Sequence, residues 1–355
     1  MSDNSSNMTS KPLNPRDSAR FISSRSQNVS ICQKGVEEAS KGIFDCLKSK
    51  KYSFKSWKEH ELHPNDMTKE TLGWIVVLDA LNFSFWTDEK VEPWIVRYEG
   101  KNYKGYWALC AAINRALKEG IQFTTPSYYA DVTVTQLQHI FRSETPTEMP
   151  LLEERRKNLN EVGKVLVKDY KNSFSNVLLQ CDHSAEKLLN LITSTFKCFR
   201  DEAEFEGTNV SFYKRAQILI ADIWACFEGQ GWGHFTDIDH LTMFADYRVP
   251  QSLLHLGIMK YTDELLEKLK RGEVIPADDK LELEIRGNTI WAVELMCHEM
   301  VKMAKGDSQF SSLPAEELSS VVNSVIIDYY LWDFAKRELE GITEFPFHKT
   351  RTIFY

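Results

Sequence analysis

Apolar residues recur at helical spacing along most of this chain, and this pattern limits its possible folds more than any other feature. The segment Ser211–Phe227 is typical, because a residue suited to capping a helix precedes apolar side chains three or four positions apart. Ten segments are predicted as helices on this basis: Val36–Leu47, Trp107–Lys118, Thr133–Phe141, Leu151–Tyr170, Ala185–Ser194, Ser211–Phe227, Val249–Leu256, Asp263–Leu269, Trp291–Ala304 and Glu317–Arg337.

Only short segments follow a β pattern. Trp94–Tyr98 and Tyr103–Trp107 flank the turn sequence Glu99-Gly100-Lys101-Asn102, which predicts a hairpin. Lys280–Arg286 alternates aliphatic and charged residues, which predicts a half-exposed strand. The expected fold is therefore mainly α, with a small β-hairpin and strand component.

The chain shows no internal repeat and no long linker. Residues 1–14 are rich in Ser and Asn and predict a flexible tail, and Gly306–Pro314 predicts a loop. Because 43% of the residues are hydrophobic, residues 15–355 contain enough apolar material for a single compact helical domain.

Charge and cysteine usage exclude several classes of protein. A net charge of −8 argues against a broad surface for nucleic acid, because such binding requires an excess of cations. The seven cysteines are scattered without a CxxC pair, which favours buried thiols in a reducing compartment. The polar N-terminus does not resemble a secretory signal, and the apolar stretch Trp74–Trp86 is too short to cross a bilayer. An intracellular protein is expected, without a membrane partner.

Common nucleotide, hydrolase and metalloprotease motifs are absent from the sequence. The segment His60-Glu61-Leu62-His63 comes closest to a metal motif, but its histidines are three positions apart and Pro64 follows directly. Capping and packing at a turn explain these residues better than a metal site does. His63 alone remains a candidate to line a pocket.

Lys214 falls in the first turn of a predicted helix, where the helix dipole disfavours a cation. One explanation is an anionic partner, either a carboxylate or a phosphate. The other is an ordinary solvated lysine on the surface.

Asp246 precedes a helix that begins near Arg248 or Val249, since Pro250 fits only the first turn of a helix. The dipole and the free N–H groups at this end are expected to keep the carboxylate ionised. Asp246 is therefore either a simple N-cap or, given its aromatic neighbours Phe244 and Tyr247, a partly enclosed carboxylate.

Two acids interrupt the apolar helical run that includes Tyr329 and Trp332. Asp328 and Asp333 lie about 140° apart around a helix, so they would flank a ligand rather than act as a dyad. Pairing with a buried Arg or Lys is one explanation for them. The other is a pocket that holds a cationic ligand against aromatic faces.

Taken together, these segments resemble the queuosine salvage protein family. The resemblance extends from about Arg16 to Tyr355 and depends on motifs that occur in order along the chain: Ala19-Arg20-Phe21-Ile22, Glu61-Leu62-His63-Pro64, Leu81-Asn82-Phe83-Ser84-Phe85-Trp86, Gly105-Tyr106-Trp107-Ala108-Leu109-Cys110-Ala111-Ala112, Ser127-Tyr128-Tyr129-Ala130, Ser211-Phe212-Tyr213-Lys214-Arg215-Ala216-Gln217, Thr242-Met243-Phe244-Ala245-Asp246-Tyr247-Arg248, Glu284-Ile285-Arg286-Gly287, Asp328-Tyr329-Tyr330-Leu331-Trp332-Asp333 and Pro346-Phe347-His348.

This resemblance implies a fold distantly similar to helix-hairpin-helix DNA glycosylases. The implied activity is hydrolysis of the N-glycosidic bond of queuosine 5′-monophosphate, which releases queuine for tRNA and requires no metal or organic cofactor. Asp246 and Lys214 would be catalytic, with Asp246 stabilising positive charge near C1′ and Lys214 contacting either Asp246 or the 5′-phosphate.

The resemblance also implies a set of substrate-binding residues. Tyr247 and Arg248 are candidates for the phosphate, and the other candidates face the base: His63, Phe244, Asp328, Tyr329, Trp332 and Asp333. Two other functions remain open. One is a non-catalytic protein that binds queuine or a nucleotide, and the other is a glycosylase that acts directly on tRNA.

Overall fold

The computed structural model describes residues 11–88, 90–338 and 344–355. Fifteen α-helices and six short strands fall within these ranges. The helices are α1 Pro15–Ser23, α2 Gln33–Lys48, α3 Lys69–Ala80, α4 Gly105–Lys118, α5 Pro126–Tyr129, α6 Val134–Ile140, α7 Leu152–Asp169, α8 Ser175–Leu178, α9 Ala185–Thr195, α10 Lys214–Cys226, α11 Val249–His255, α12 Asp263–Lys270, α13 Lys280–Gly306, α14 Ala315–Ser319 and α15 Ser324–Glu338. The strands are β1 Val29–Ile31, β2 Ile95–Tyr98, β3 Lys101–Lys104, β4 Glu202–Phe205, β5 Thr208–Ser211 and β6 Met259–Tyr261.

The strands form three antiparallel pairs. Two are local hairpins, β2 with β3 and β4 with β5. The third joins distant parts of the chain, because β1 pairs with β6 and places Val29 opposite Tyr261. The pairs lie at the edges of a helical core.

One apolar cluster extends from Ala19 in α1 to Leu331 in α15 and draws residues from most of the long helices. Helix α13 packs against α1, α2 and α15, while α10 packs against α3 and α9. The start of α10 lies at a cavity, whose lining includes Lys214, Ile218 and Asp222. The mainly helical prediction is confirmed.

Seven predicted helices coincide with α2, α4, α6, α7, α9, α11 and α12 to within three residues at each end. The predicted hairpin forms, but its turn is Glu99-Gly100 rather than residues 99–102. Its second strand is Lys101–Lys104 rather than Tyr103–Trp107, because α4 begins at Gly105. Helix α13 ends at Gly306, where the predicted loop begins.

The strand predicted for Lys280–Arg286 is wrong, because these residues form the first turns of α13. Their alternation suggested that the charged residues faced water, but Glu282, Glu284 and Arg286 are all buried. Each of them binds a polar partner inside the protein, and the side chain of Asp279 caps the helix by accepting a hydrogen bond from the N–H of Leu281. Charged residues that are buried with hydrogen-bond partners therefore gave the same alternating sequence pattern as a strand with one exposed face.

The helix predicted from Ser211 begins three residues later, at Lys214. Ser211 ends strand β5, and its hydroxyl donates a hydrogen bond to the carbonyl of Leu13 instead of capping the helix. Tyr213 has a φ of 50°, a left-handed conformation that a continuous helix cannot include.

The single helix predicted for Glu317–Arg337 is divided into α14 and α15. The division occurs at Asn323, whose side-chain oxygen accepts a hydrogen bond from the N–H of Ile326 and so starts a new helix. Helices α1, α3, α5 and α8 were not predicted. Because nearly every residue of α3 from Thr71 onward is buried, that helix lacks the polar face on which amphipathic patterning depends.

The predicted tail lies mostly outside the described residues, which begin at Lys11. Leu13 donates a backbone hydrogen bond to Asn209, and the side chain of Asn14 caps α1. None of the helices in the described ranges is both long and apolar enough to span a bilayer.

Candidate active site

A cavity lies among α3, α4, α10, the loop before α11, and α15, and it has two adjoining compartments. Their volumes are about 250 Å³ and about 340 Å³. The residues that line both compartments form the junction between them: Asn82, Tyr106, Lys214, Asp246 and Trp332. A ligand that fills both compartments must therefore pass these five side chains.

The charged side chains of the smaller compartment, here called the cationic compartment, are basic except for Asp246 at the junction. This compartment is lined by Lys104, Lys214, Arg248 and Lys336. The Arg248 guanidinium lies 4.9 Å from the ring centre of Phe347 and donates a hydrogen bond of 3.1 Å to the side-chain oxygen of Gln251. Several cations around a small opening favour an anionic group such as a phosphate.

The larger compartment, here called the acidic compartment, has the opposite character. Its lining includes Glu59, Asp222, Asp328 and Asp333, with Arg337 at its edge. Aromatic residues form much of its wall: Tyr52, Trp57, Trp107, Phe244, Tyr329 and Trp332. Aromatic faces together with carboxylates suit a flat ring that carries a positive charge.

Asp246 lies at the junction, at the start of α11. Its Oδ1 accepts hydrogen bonds from the N–H groups of Arg248 at 2.8 Å and Val249 at 3.0 Å. Burial raises the pKa of this carboxyl above its ordinary value, while the charge of Lys214 and the two N–H groups oppose the rise. The pKa of Asp246 is therefore raised, whereas the helix terminus alone was expected to lower it. Burial of the carboxyl has a larger effect than the two N–H donors.

Lys214 is the first residue of α10, and its side chain is buried. Its Nζ donates a hydrogen bond of 3.1 Å to the carbonyl of Asn82. The expected ion pair with Asp246 does not form in the described part of the chain, although the two charges interact across the cavity. Burial lowers the pKa of the Lys214 ammonium, and Asp246 opposes this change.

A buried ion pair fixes the backbone at both of these residues. Arg286 binds Asp201 through two hydrogen bonds, of 2.9 Å and 2.6 Å. The same guanidinium donates to the carbonyl of Ala245 at 3.1 Å, and Asp201 accepts from the N–H of Lys214 at 3.1 Å. The pair therefore connects the start of α10 to the residue that precedes Asp246.

Three buried cations bind the end of α3 and the turn that follows it, residues 79–84. Arg215 donates to the carbonyls of Asp79 and Ala80, and Arg155 donates to those of Leu81, Phe83 and Ser84. Lys214 binds the remaining carbonyl, that of Asn82. Because every carbonyl of this turn has a cationic partner, its position at the junction is fixed.

The two acids predicted on α15 both line the acidic compartment. Asp328 Oδ1 accepts a hydrogen bond of 3.0 Å from the N–H of Phe244, and Asp333 Oδ2 accepts one of 2.6 Å from the hydroxyl of Tyr52. Burial raises the pKa of both carboxyls. Neither acid has a cation in ion-pair contact among the described residues, so buried pairing does not explain them.

Asp222 is a third acid in this compartment, and the sequence analysis did not assign it a role. Its Oδ1 accepts a hydrogen bond of 2.7 Å from the hydroxyl of Tyr329. Its Oδ2 is buried without a hydrogen-bond partner among the described residues. Burial raises the pKa of this carboxyl to about 7, so its charge changes near neutral pH.

His63 is held on both sides of its ring. Its Nδ1 lies 2.6 Å from the carbonyl of Trp57, so this nitrogen must carry the proton. Its Nε2 is then an acceptor and receives the hydroxyl proton of Tyr106 at 2.8 Å. Burial lowers the pKa of His63 to about 3, which keeps the ring neutral.

All ten site residues predicted from the sequence line this one cavity. The residues that sequence reasoning missed are mainly those at the junction and on the walls: Asn82, Lys104, Tyr106, Asp222 and Lys336. Asp222 carried a usable signal, because it is an acid among the apolar residues of a buried helix, as Asp328 is.

Comparison with known proteins identifies relatives that match nearly the whole chain. A family model described as queuosine salvage protein matches residues 62–355. A protein of Nematostella vectensis is 55% identical over 348 residues, covering 98% of this chain and all of that protein. A Mus musculus protein is 47% identical, covering 97% of this chain and 99% of its own length.

A bacterial protein, from Sphaerobacter thermophilus, is 41% identical over 295 residues, covering 83% of this chain and 84% of that protein. All three carry the name queuosine 5′-phosphate N-glycosylase/hydrolase. With the motifs, the cavity and these matches in agreement, the chain belongs to the queuosine salvage protein family.

Proposed function

We propose that this protein hydrolyses the N-glycosidic bond of queuosine 5′-phosphate and releases queuine. The relatives named above are queuosine 5′-phosphate N-glycosylases/hydrolases and match this chain over nearly its whole length. The observation that carries the proposal is that the cavity has a cationic compartment and an acidic compartment, with the carboxyl of Asp246 between them. A nucleotide with a cationic base has the same order of charges: phosphate, sugar, then base.

In this arrangement the 5′-phosphate occupies the cationic compartment and the base occupies the acidic one. Lys214, Arg248 and Tyr247 then lie on the phosphate side. The base-side residues are His63, Phe244, Asp328, Tyr329, Trp332 and Asp333. The aminomethyl group of queuine is cationic, which agrees with the three aspartates of that compartment.

The reaction breaks the bond between C1′ and the base nitrogen, and positive charge develops on the sugar as it does so. Asp246 at the junction stabilises that charge. A water oxygen forms the new bond to C1′, one of its protons ends on the base, and the products are ribose 5-phosphate and queuine. Queuine lacks the purine N7, so protonation at that position is not available, and stabilisation on the sugar side carries more of the catalysis.

The free nucleotide, rather than intact tRNA, is the proposed substrate. The cavity is divided into two small compartments, and the chain carries a net charge of −8, which does not favour a long polyanion. A nucleotide inside a tRNA would also have to bring its neighbouring phosphates past the junction.

We also propose a distant relationship to helix-hairpin-helix DNA glycosylases. What supports it is a lysine at the start of α10 and an aspartate 32 positions later that share one cavity. Superposition on such glycosylases tests the proposal, and a match in which the lysine and aspartate do not coincide would contradict it.

The central experiment incubates the purified protein with queuosine 5′-phosphate and measures free queuine by mass spectrometry. Queuosine and intact queuosine-containing tRNA are the comparison substrates. We expect queuine from the nucleotide and much less from the tRNA. A protein that binds queuine tightly but releases none from the nucleotide would instead be a carrier, and the proposed hydrolase would be wrong.

A further inference from the structure

Asn82 and Tyr106 belong to the junction, but the proposed reaction uses neither side chain. Both line the two compartments beside Asp246. Whatever group connects a phosphate on one side to a base on the other must pass between them. In a nucleotide this group is the ribose.

The side chain of Asn82 has a fixed orientation. Its Nδ2 donates a hydrogen bond of 3.2 Å to Oδ1 of Asp79, which is fully buried. Burial raises the pKa of Asp79 well above its ordinary value, but Oδ1 accepts this bond whether the carboxyl is charged or neutral, so the amide nitrogen faces Asp79 and the amide oxygen faces away. No hydrogen bond reaches that oxygen from the described residues, and the main chain of Asn82 is held by Lys214.

The hydroxyl of Tyr106 is fixed in a similar way. Its proton is donated to Nε2 of His63, whose other nitrogen must donate to the carbonyl of Trp57. The oxygen of Tyr106 also meets the buried thiol of Cys110, but a hydroxyl oxygen has two lone pairs, so it can still accept from a ligand and has no proton to donate to it. The junction thus presents two oxygens that can only accept hydrogen bonds, and each is oriented by a buried partner.

We infer that Asn82 Oδ1 and the Tyr106 hydroxyl oxygen bind the 2′- and 3′-hydroxyls of the ribose and make the site selective for ribonucleotides. A cis-diol offers two donors side by side, which matches two fixed acceptors. The inference rests on the proposed function, because it places the sugar between the phosphate and the base. Asp79 and His63 are then positioning residues for this contact.

Queuine also carries a cis-diol on its cyclopentene ring, which presents the same chemistry. The ribose is favoured because the two acceptors lie beside Asp246 at the junction, whereas the ring substituent of the base extends beyond the junction. Substrates that lack one diol or the other distinguish these two sources.

The test compares queuosine 5′-phosphate with its 2′-deoxy and 3′-deoxy forms, using kcat/KM for the unmodified protein, Asn82→Ala and Tyr106→Phe. Loss of a hydroxyl changes the intrinsic reactivity of the glycosidic bond. This effect cancels when the ratio of kcat/KM for the ribonucleotide to kcat/KM for a deoxy form is compared between the unmodified protein and a variant. We expect the preference for the ribonucleotide over at least one deoxy form to fall about tenfold in each variant, the value of one hydrogen bond.

Matched controls are Asn160→Ala and Tyr103→Phe, because these side chains bind protein partners outside the cavity. Their preference for the ribonucleotide should equal that of the unmodified protein.

A fourth substrate, 7-aminomethyl-7-deazaguanosine 5′-phosphate, retains the ribose and lacks the cyclopentene diol. For each protein, kcat/KM for this substrate is divided by kcat/KM for queuosine 5′-phosphate. If this ratio changes in the variants while the ratios for the deoxy forms do not, the two acceptors bind the base and the inference is wrong.

A measurement on the unmodified protein remains informative if a variant does not fold. Ribose 5-phosphate should inhibit the reaction about tenfold more strongly than 2-deoxyribose 5-phosphate or 3-deoxyribose 5-phosphate does, and equal inhibition by all three would overturn the inference.

If the unmodified protein cleaves none of the nucleotides, the proposed function itself fails. If it cleaves them with ratios unchanged in both variants, only the role of Asn82 and Tyr106 is lost.

Discussion

Lys214 and Asp246 line the same two compartments, but each is held by the protein backbone rather than by the other. The Lys214 ammonium binds the carbonyl of Asn82, and the Asp246 carboxylate binds the N–H groups of Arg248 and Val249. A direct ion pair would satisfy both charges before a substrate arrived. Backbone anchoring instead leaves a cation and an anion facing the cavity, where a phosphate and a developing sugar cation require them.

Replacing Asp246 with Asn should abolish most of the turnover and preserve binding. The amide can still accept from the two N–H groups of α11, but it does not carry the negative charge that stabilises the transition state. We expect kcat to fall about 10²-fold or more, with the Kd for queuine within about tenfold. Single-turnover kinetics and titration calorimetry measure the two quantities.

Asp237→Asn is the matched control for that change. Asp237 also accepts hydrogen bonds from N–H groups at a helix start, those of Ala185 and Glu186, but it lies outside the cavity. Its kcat should remain near that of the unmodified protein. Equal losses in the two variants would show that capping, not charge at the junction, explains the effect.

Replacing Arg248 with Ala should weaken the response of the protein to the 5′-phosphate. A charge-assisted hydrogen bond contributes about 1.5–3 kcal/mol, so KM for the nucleotide should rise about 10–100-fold. The value for queuosine, which has no phosphate, should hardly change. Arg271→Ala, which removes an exposed arginine paired with Glu273, provides the control. If nucleotide and nucleoside are affected equally, the phosphate does not lie in the cationic compartment.

Binding of queuine should become tighter as the pH rises through about 7. Burial raises the pKa of Asp222 to about 7, so this acid is neutral below that value and negative above it. A negative Asp222 attracts the cationic amine of the base, whereas a neutral one does not. Fluorescence or calorimetric titration from pH 6 to pH 8 measures the change, and free queuine avoids titration of the phosphate.

Asp222→Asn should remove the part of this pH dependence that is centred near 7. Asp328 and Asp333 also have raised pKa values, so a weaker dependence can persist in the variant. An unchanged profile would show that Asp222 does not meet the charged part of the ligand.

Glu282 should make the folded protein less stable as the pH rises. Burial raises its pKa from 4.5 to about 7, despite the opposing charge of Arg286. The folded state therefore holds a proton between pH 4.5 and pH 7 that the unfolded state has lost. This contribution is complete below the unfolded pKa and is lost as the pH approaches 7, and it amounts to about 3 kcal/mol at 1.36 kcal/mol per pKa unit.

Glu282→Gln tests this sign, because glutamine can still accept the hydrogen bond that Tyr355 donates at 2.8 Å. Denaturant unfolding at pH 5 and pH 8 should show that the variant gains stability relative to the unmodified protein as the pH rises. A constant difference between the two proteins would mean that Glu282 keeps its charge at both values.

Breaking the ion pair between Arg286 and Asp201 should reduce the stability far more than breaking a surface pair. Arg286→Met leaves the buried carboxylate of Asp201 without its partner, and such a change costs about 3–5 kcal/mol. The exposed pair of Lys101 and Glu61 offers the comparison, since loss of a pair of that kind costs about 1 kcal/mol or less. Similar losses in Lys101→Met and Arg286→Met would contradict the structural role given to the buried pair.

Much of the helical framework could be predicted from the sequence, because its causes are local. Amphipathic spacing predicted α6, α7 and α9, and Thr133 and Ser184 cap the first and the last of these. Pro250 indicated where α11 begins and hence that Asp246 stands before it. Prediction failed where a segment is buried on all sides. In α3 and in the first turns of α13, the contrast between an apolar and a polar face disappears.

Sequence alone could single out Lys214, Asp328 and Asp333, since each is a charge in an unfavourable local setting, and Asp246, since it is a carboxylate among aromatic residues at a helix start. It could not decide which of them form pairs. Arg286 meets Asp201 across 85 positions, and the turn at Asn82 meets Lys214 across 132. Burial and charge pairing depend on distances between atoms that are remote along the chain, so only the tertiary structure divided the cavity into a cationic side and an acidic side.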